Sequence, residues 1–121
     1  MKASSLLLLV SMLSAGPYAY ANDISSTTGL VAMCSSDGAD YGYCLGFVSG
    51  SAAVMEQIGR GGSGDFRVSM GMCVSAPYPS AQAEVQAFVT WAKKHPEAAD
   101  YPNAVGVILA LADRWPCAGQ G

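Results

Sequence analysis

The chain has 121 residues, of which 51% are hydrophobic and 12% are charged, so it fits one domain and is too apolar for a disordered chain. Its formal net charge of −3 argues against a basic nucleic-acid-binding surface. Its single histidine argues against most metal sites. We therefore expect one small globular domain with no nucleic-acid partner, cofactor or metal.

The N-terminus has the order of features that is typical of a secretory signal peptide. Lys2 supplies a positive start, residues 6–13 form an apolar run, and Ala19-Tyr20-Ala21 is a small-x-small cleavage site. The apolar run is shorter than the roughly 20 residues that a membrane span needs. We therefore expect cleavage after Ala21, a mature domain over residues 22–121, and no membrane attachment afterwards.

The cysteine content fits an oxidising compartment. All four cysteines lie in the predicted mature domain, and an even number in a small exported domain predicts two disulfides. Four cysteines allow three pairings. The cysteines are Cys34, Cys44, Cys73 and Cys117.

Apolar spacing and capping residues predict an all-α domain of four to five helices stapled by two disulfides. The four clearest helical segments lie at about residues 26–36, 39–58, 80–95 and 102–115. The last of them is apolar almost all round, which predicts a central position in the domain or burial in a dimer. Glycines predict a flexible connector over 59–65, and residues 66–72 fit either an extended piece or a helical turn.

Three glycines share one face of the second predicted helix. Gly42, Gly46 and Gly50 recur every four residues, and each weakens a helix by up to about 1 kcal/mol relative to alanine. We expect a close contact to compensate for this cost. The favoured interpretation is packing against another helix of the domain, and the alternative is a face for a partner or for self-association.

No catalytic constellation is visible. A cysteine nucleophile would need a histidine within reach, and the only histidine, His95, fits a helix end before Pro96. No G-x-S-x-G segment indicates serine hydrolase chemistry. We therefore expect no catalytic residues, and we expect Trp91 and Trp115 to pack in the core.

Two segments carry a family resemblance that covers most of the predicted mature chain. The segment from Phe88 to Glu97, with its His95-Pro96-Glu97 helix end, is followed at a fixed distance by Trp115-Pro116-Cys117. The block from Gly29 to Gly50 contains Met33-Cys34 and Tyr43-Cys44-Leu45-Gly46-Phe47-Val48. Together these segments resemble the Rap/Tai family of immunity proteins.

The resemblance implies an all-helical periplasmic protein that neutralises a peptidoglycan amidase effector of type VI secretion. Members of that family bind the toxin and block its active-site cleft, and a homodimer is a further assembly that the resemblance implies. One alternative is a periplasmic chaperone or structural binding module of the same fold with no toxin partner. An enzyme is the least favoured alternative.

The predicted topology favours one disulfide pairing. A short turn joins the first two helices, so they run antiparallel and bring Cys34 near Cys44. Cys73 precedes the hairpin of the last two helices and Cys117 follows it, and the chain ends of an antiparallel hairpin lie close together. We therefore expect Cys34–Cys44 and Cys73–Cys117.

A protein that plugs a cleft needs a protruding element, and two segments are candidates for it. The first holds Arg60, Asp65, Phe66 and Arg67, in which Phe66 is an aromatic anchor of the kind found at binding hot spots. The second is the short acidic turn from Glu97 to Asp100.

Overall fold

The computed structural model describes residues 23–118, so the predicted signal peptide and the cleavage position after Ala21 lie outside the described residues. Within residues 23–118 the chain forms five α-helices and no β-strand, which confirms the predicted all-α class. The helices are α1 (Thr27–Cys34), α2 (Gly38–Gly61), α3 (Gly64–Met70), α4 (Ala81–Lys94) and α5 (Asn103–Arg114), with a short 3₁₀ helix (Pro96–Ala98) between α4 and α5.

Capping residues explain where two of the helices begin. The Ser26 hydroxyl accepts a hydrogen bond from the Gly29 amide at 3.0 Å, and the Ser80 hydroxyl accepts one from the Ala83 amide at 3.1 Å. Each bond satisfies an amide that has no partner inside its helix. The boundaries of α1 and α4 therefore lie within two residues of those predicted from the sequence.

The core joins four of the helices. Its largest fully buried side chains include Leu30 of α1, Val48 of α2, Phe88 of α4, and Val107 and Leu111 of α5. Burial of each such side chain contributes about 1.5–3 kcal/mol to folding before the entropy cost is subtracted. The hydrophobic effect therefore holds α2, α4 and α5 against α1.

Both predicted disulfides are present. Cys34 at the end of α1 is bonded to Cys44 in α2, with their Cα atoms 5.1 Å apart. Cys73 is bonded to Cys117, with their Cα atoms 4.9 Å apart, and this bond closes the segment that contains α4 and α5. The predicted pairing is confirmed, and the bonds fit an extracytoplasmic protein because disulfides persist in oxidising compartments.

The flexible connector predicted over residues 59–65 is wrong. Helix α2 continues to Gly61, and α3 begins at Gly64, so only two residues separate them. Gly59 is buried, and a Cβ atom there would overlap the Met72 carbonyl oxygen, while Gly64 has a φ of +58°. The glycines therefore permit a close backbone approach and a tight turn, and residues 66–70 of the ambiguous segment are helical.

The burial on all sides that was predicted for the last helix is not seen within the described residues, although α5 contacts the other four α-helices. α5 buries one face, whereas Val105 and Leu109 on another face are 41% and 40% exposed. The error arose because apolar residues outnumber the positions that the core can cover, and a folded surface always includes apolar side chains. The buried face consists of Gly106, Val107, Ala110 and Leu111.

The glycines of α2 do not pack against another helix of the domain, which contradicts the favoured interpretation. Gly42, Gly46 and Gly50 are exposed, and beyond its sequence neighbours and the backbone of its own helix, a methyl group added at any of them would meet no atom within 4 Å. The core instead contacts the opposite face of α2, through Cys44, Val48, Ala52 and Met55. Within the described residues, nothing compensates for the helix cost of these glycines.

Gly106 of α5 is different because α1 lies directly against it. A Cβ atom at Gly106 would overlap the Thr27 hydroxyl and lie 2.8 Å from its methyl carbon. That hydroxyl is fixed, since it donates a hydrogen bond to the Tyr101 carbonyl at 3.0 Å. The start of α1 is further tied to this region by the Thr27 amide, which donates to the same carbonyl at 2.8 Å.

We expect the same substitution to have opposite effects at the two kinds of glycine. Gly106→Ala forces Thr27 to move and should lower the free energy of unfolding by at least about 1 kcal/mol. Gly46→Ala meets open space and should raise it by about 0.5–1 kcal/mol through better helix propensity. Urea unfolding of both variants, at protein concentrations at which the chain is monomeric, measures the difference, and a loss of stability in Gly46→Ala would contradict the open environment of that face.

One carboxyl group is buried beside the core. Glu84 in the first turn of α4 is 6% exposed, and its Oε2 atom has no hydrogen-bond partner. Burial, together with the nearby charge of Glu56, raises the pKa of Glu84 to about 7. The ionised form of Glu84 therefore opposes folding.

Candidate partner-binding surface

The α2–α3 corner, which we define as residues 60–66, carries three of the sequence-predicted contact residues. Arg60, Asp65 and Phe66 are exposed there, and the Phe66 side chain is 58% exposed. The Arg60 guanidinium lies 3.6 Å from the Glu56 carboxylate and 5.7 Å from the centre of the exposed Tyr78 ring. The corner thus combines apolar aromatic area with a positive charge.

Arg67, the fourth predicted contact residue, is engaged inside the protein. Its guanidinium donates hydrogen bonds to the Gly59 carbonyl at 2.7 Å and to the Ala118 carbonyl at 3.1 Å. It also lies 3.1 Å from the Cys73 sulfur. Arg67 therefore ties α3 to the end of α2 and to the C-terminal segment, so its replacement would change stability as well as any binding.

The acidic turn from Glu97 to Asp100 is exposed and anchored. Glu97 lies in the 3₁₀ helix and Asp100 follows it, and both side chains are exposed. The backbone of the turn is held by α1, because the Thr28 amide donates to the Ala99 carbonyl at 3.1 Å. The turn and the α2–α3 corner carry five of the six predicted contact residues, and the sixth, Arg67, is engaged inside the protein.

The outer face of α2, defined by Gly42, Gly46 and Gly50, offers a third surface. Tyr43 and Val54 are exposed on the same helix, and no charged residue occurs between Asp40 and Glu56. This face matches the alternative interpretation of the glycines, as a surface for a partner or for self-association.

An open groove between α4 and α5, which we call the α4–α5 groove, was missed by the sequence analysis. It has a volume of about 600 Å³. The Trp91 indole and the His95 ring stack in it with centroids 4.1 Å apart, and His95 Nδ1 lies 2.8 Å from the Trp91 carbonyl oxygen. A carbonyl oxygen can only accept, so Nδ1–H donates this bond and fixes the ring.

The other wall of the groove pairs a cation with an aromatic ring. The Arg114 guanidinium lies 4.8 Å from the centre of the Trp115 ring, a cation–π contact. Trp91 and Trp115 are half-buried, so they pack against the core as predicted and also line the groove. The four-residue spacing of Trp91 and His95 was a signal for their stacking, but nothing local indicated that Trp115 would lie across from them.

All four cysteines of the sequence are bonded in the two disulfides, so none of them is a free thiol in this structure. Within residues 23–118, no three His, Cys, Asp or Glu side chains are grouped closely enough to hold a metal ion. No helix in the described part of the chain combines the length and apolar character that a membrane crossing requires.

The chain was compared with models of known protein families, with curated proteins and with solved structures. The searches of curated proteins and of solved structures found no significant match. The family model described as Rap1a immunity proteins matches residues 26–117, which is more than half of the chain. The matched region begins at the N-cap of α1 and ends at Cys117, so it contains all five helices and both disulfides. The chain therefore belongs to the Rap1a immunity proteins.

Proposed function

We propose that this chain acts in the periplasm as an immunity protein that binds a peptidoglycan amidase effector of type VI secretion and occludes its active-site cleft. The observation that carries the proposal is the family match over residues 26–117, because membership implies an immunity protein against a secreted effector. The two disulfides support an oxidising compartment such as the periplasm. The resemblance to the Rap/Tai family supports the amidase as the target.

Protection of cells tests the proposal. Each amidase effector encoded in the genome of origin is exported to the periplasm of a sensitive host, with or without the full chain. We expect the full chain to prevent lysis by one of these amidases. A variant without residues 1–21 stays in the cytoplasm and should not protect. Lysis by every amidase in the presence of the full chain would contradict the proposal.

The α2–α3 corner is the surface that we propose enters the amidase cleft. Phe66 is exposed at the first turn of α3, next to the two-residue turn that joins α2 and α3. An exposed aromatic side chain supplies a large contact area at a low entropy cost, which is why aromatics dominate binding hot spots. Arg60 and Asp65 supply polar contacts at its edge.

Phe66→Ala is expected to weaken amidase binding at least about tenfold and to leave the melting temperature nearly unchanged, because Phe66 contributes little to the core. Titration calorimetry with the amidase measures the affinity. Tyr43→Ala, which removes an exposed aromatic from the outer face of α2, is the matched control. If Phe66→Ala binds normally while the double variant Glu97→Ala/Asp100→Ala does not, the acidic turn is the contact instead.

Self-association is the second assembly that we propose, through the outer face of α2. The absence of charge between Asp40 and Glu56 removes the repulsion that two acidic chains would otherwise meet there. The exposed glycines allow two helices to approach closely. Light scattering of the mature protein and of Gly46→Arg, which places a large charge on this face, tests the pairing.

A further inference from the structure

The α4–α5 groove continues beyond the two helices. A second hollow of about 340 Å³ shares Ala83, Arg114 and Trp115 with it and reaches Val74. A third hollow of about 180 Å³ shares Val74 with the second and reaches Arg60 and Arg67. We call the three together the basic track, and it extends from His95 through Trp115 and Val74 to the α2–α3 corner.

Most of the basic side chains of this acidic chain line the basic track. The predicted mature chain has five basic residues, and four of them line the track, namely Arg60, Arg67, Lys94 and Arg114. Asp113 is the one acidic side chain among the residues that line it. Within residues 23–118, the only ion pair is Arg60 with Glu56, so Lys94 and Arg114 have no carboxylate within 4 Å.

We propose that the basic track binds an extended acidic segment of the effector that also carries an aromatic side chain. The three hollows share lining residues and follow one another from α4 to the α2–α3 corner, which fits an extended chain rather than a compact small molecule. Lys94 and Arg114, which have no carboxylate partner within residues 23–118, are complementary to carboxylates. Trp91 and Trp115 offer indole surface to an aromatic side chain. The identity of the partner rests on the proposed function, whereas the chemistry of the segment rests on the track itself.

Tryptophan fluorescence measures binding to the basic track. The sequence contains two tryptophans, and both line the track, so tryptophan fluorescence responds to a bound segment. The probe is a random copolymer of glutamate and tyrosine, and a copolymer of lysine and tyrosine is the charge-reversed control. We expect the acidic copolymer to change the fluorescence saturably and the basic copolymer to have no such effect.

Adjacent lysines provide a matched pair of variants. Lys93 and Lys94 are both exposed in the last turn of α4, but only Lys94 lines the track. Lys94→Gln and Arg114→Gln should each weaken binding of the acidic copolymer about fivefold, and Lys93→Gln should leave it unchanged. Thr90→Phe, which fills the α4–α5 groove without a change in charge, should weaken binding as well.

Three results would overturn the track as a binding site: no saturable response to the acidic copolymer, an equal response to the basic copolymer, or equal weakening by Lys93→Gln and Lys94→Gln.

The amidase assays separate this proposal from the proposed function. If Lys94→Gln and Thr90→Phe protect against the amidase as well as wild type does, the function stands and the track fails. If no amidase is neutralised but the copolymer binds as expected, the track stands and the proposed function fails.

Discussion

Replacement of Cys73 and Cys117 by alanine is expected to lower the free energy of unfolding by about 4 kcal/mol, and replacement of Cys34 and Cys44 by about 2.8 kcal/mol. The physical reason is loop length. The Cys73–Cys117 bond joins residues 44 positions apart, and the Cys34–Cys44 bond joins residues 10 positions apart. The Cys73–Cys117 bond therefore removes more entropy from the unfolded chain.

The surroundings of Cys73 add to the larger loss. Its amide donates a hydrogen bond to the Trp115 carbonyl at 3.0 Å, and its sulfur lies against the Arg67 guanidinium. Thermal melts of the two double variants, each without its own disulfide, test the ranking. Equal losses, or a larger loss from the Cys34/Cys44 variant, would show that loop length does not determine the contribution of these bonds.

Glu84→Gln is expected to stabilise the protein at alkaline pH by about 2 kcal/mol and to have little effect at pH values below 4.5. The pKa of Glu84 is about 7 in the folded protein and near 4.5 when the group is in water. Between these values the folded state holds a proton that the unfolded state has lost, so wild-type stability falls as pH rises through this window. The full pKa difference corresponds to about 3 kcal/mol, and partial hydration of the carboxylate lowers the expected effect.

The measurement is urea unfolding of wild type and Glu84→Gln over this pH range. Glu97→Gln, which removes an exposed carboxylate from the 3₁₀ helix, is the matched control and should follow the wild-type curve. If the stability of Glu84→Gln depends on pH in the same way as that of wild type, the buried carboxyl group is not the source of the fall in wild-type stability with rising pH.

The helices and the disulfide pairing were predictable because their signals are local. Ser26 and Ser80 cap helices through amides only three residues away, and Pro96 ends α4. A short turn between α1 and α2 is sufficient to bring Cys34 beside Cys44. These features depend on neighbours in sequence, so the sequence contains the information that determines them.

The glycines were not predictable in this way, because a glycine indicates either flexibility or close approach. Gly59 is required where Met72, thirteen residues later, comes back against α2. Gly46 faces open space because the core contacts the opposite face of α2. The environment that decides between these interpretations comes from residues distant in sequence.

The candidate site was predictable only in part, for the same reason. The exposure of Phe66 followed from its place beside a glycine-rich turn. The basic track requires the ends of α4 and α5 and the segment around Val74 to meet, and no local pattern specifies that meeting. Arg67 resembled a surface cation in the sequence, whereas its partners Gly59 and Ala118 come from two other parts of the chain.

Inhibition of peptidoglycan hydrolysis by purified proteins tests the central claim most directly. Each amidase effector of the genome of origin is incubated with isolated cell-wall sacculi and increasing amounts of the predicted mature chain, residues 22–121. We expect one amidase to lose its activity at an equimolar ratio and the two proteins to elute as a complex in size-exclusion chromatography. Full activity of every amidase in the presence of excess mature chain would contradict the claim.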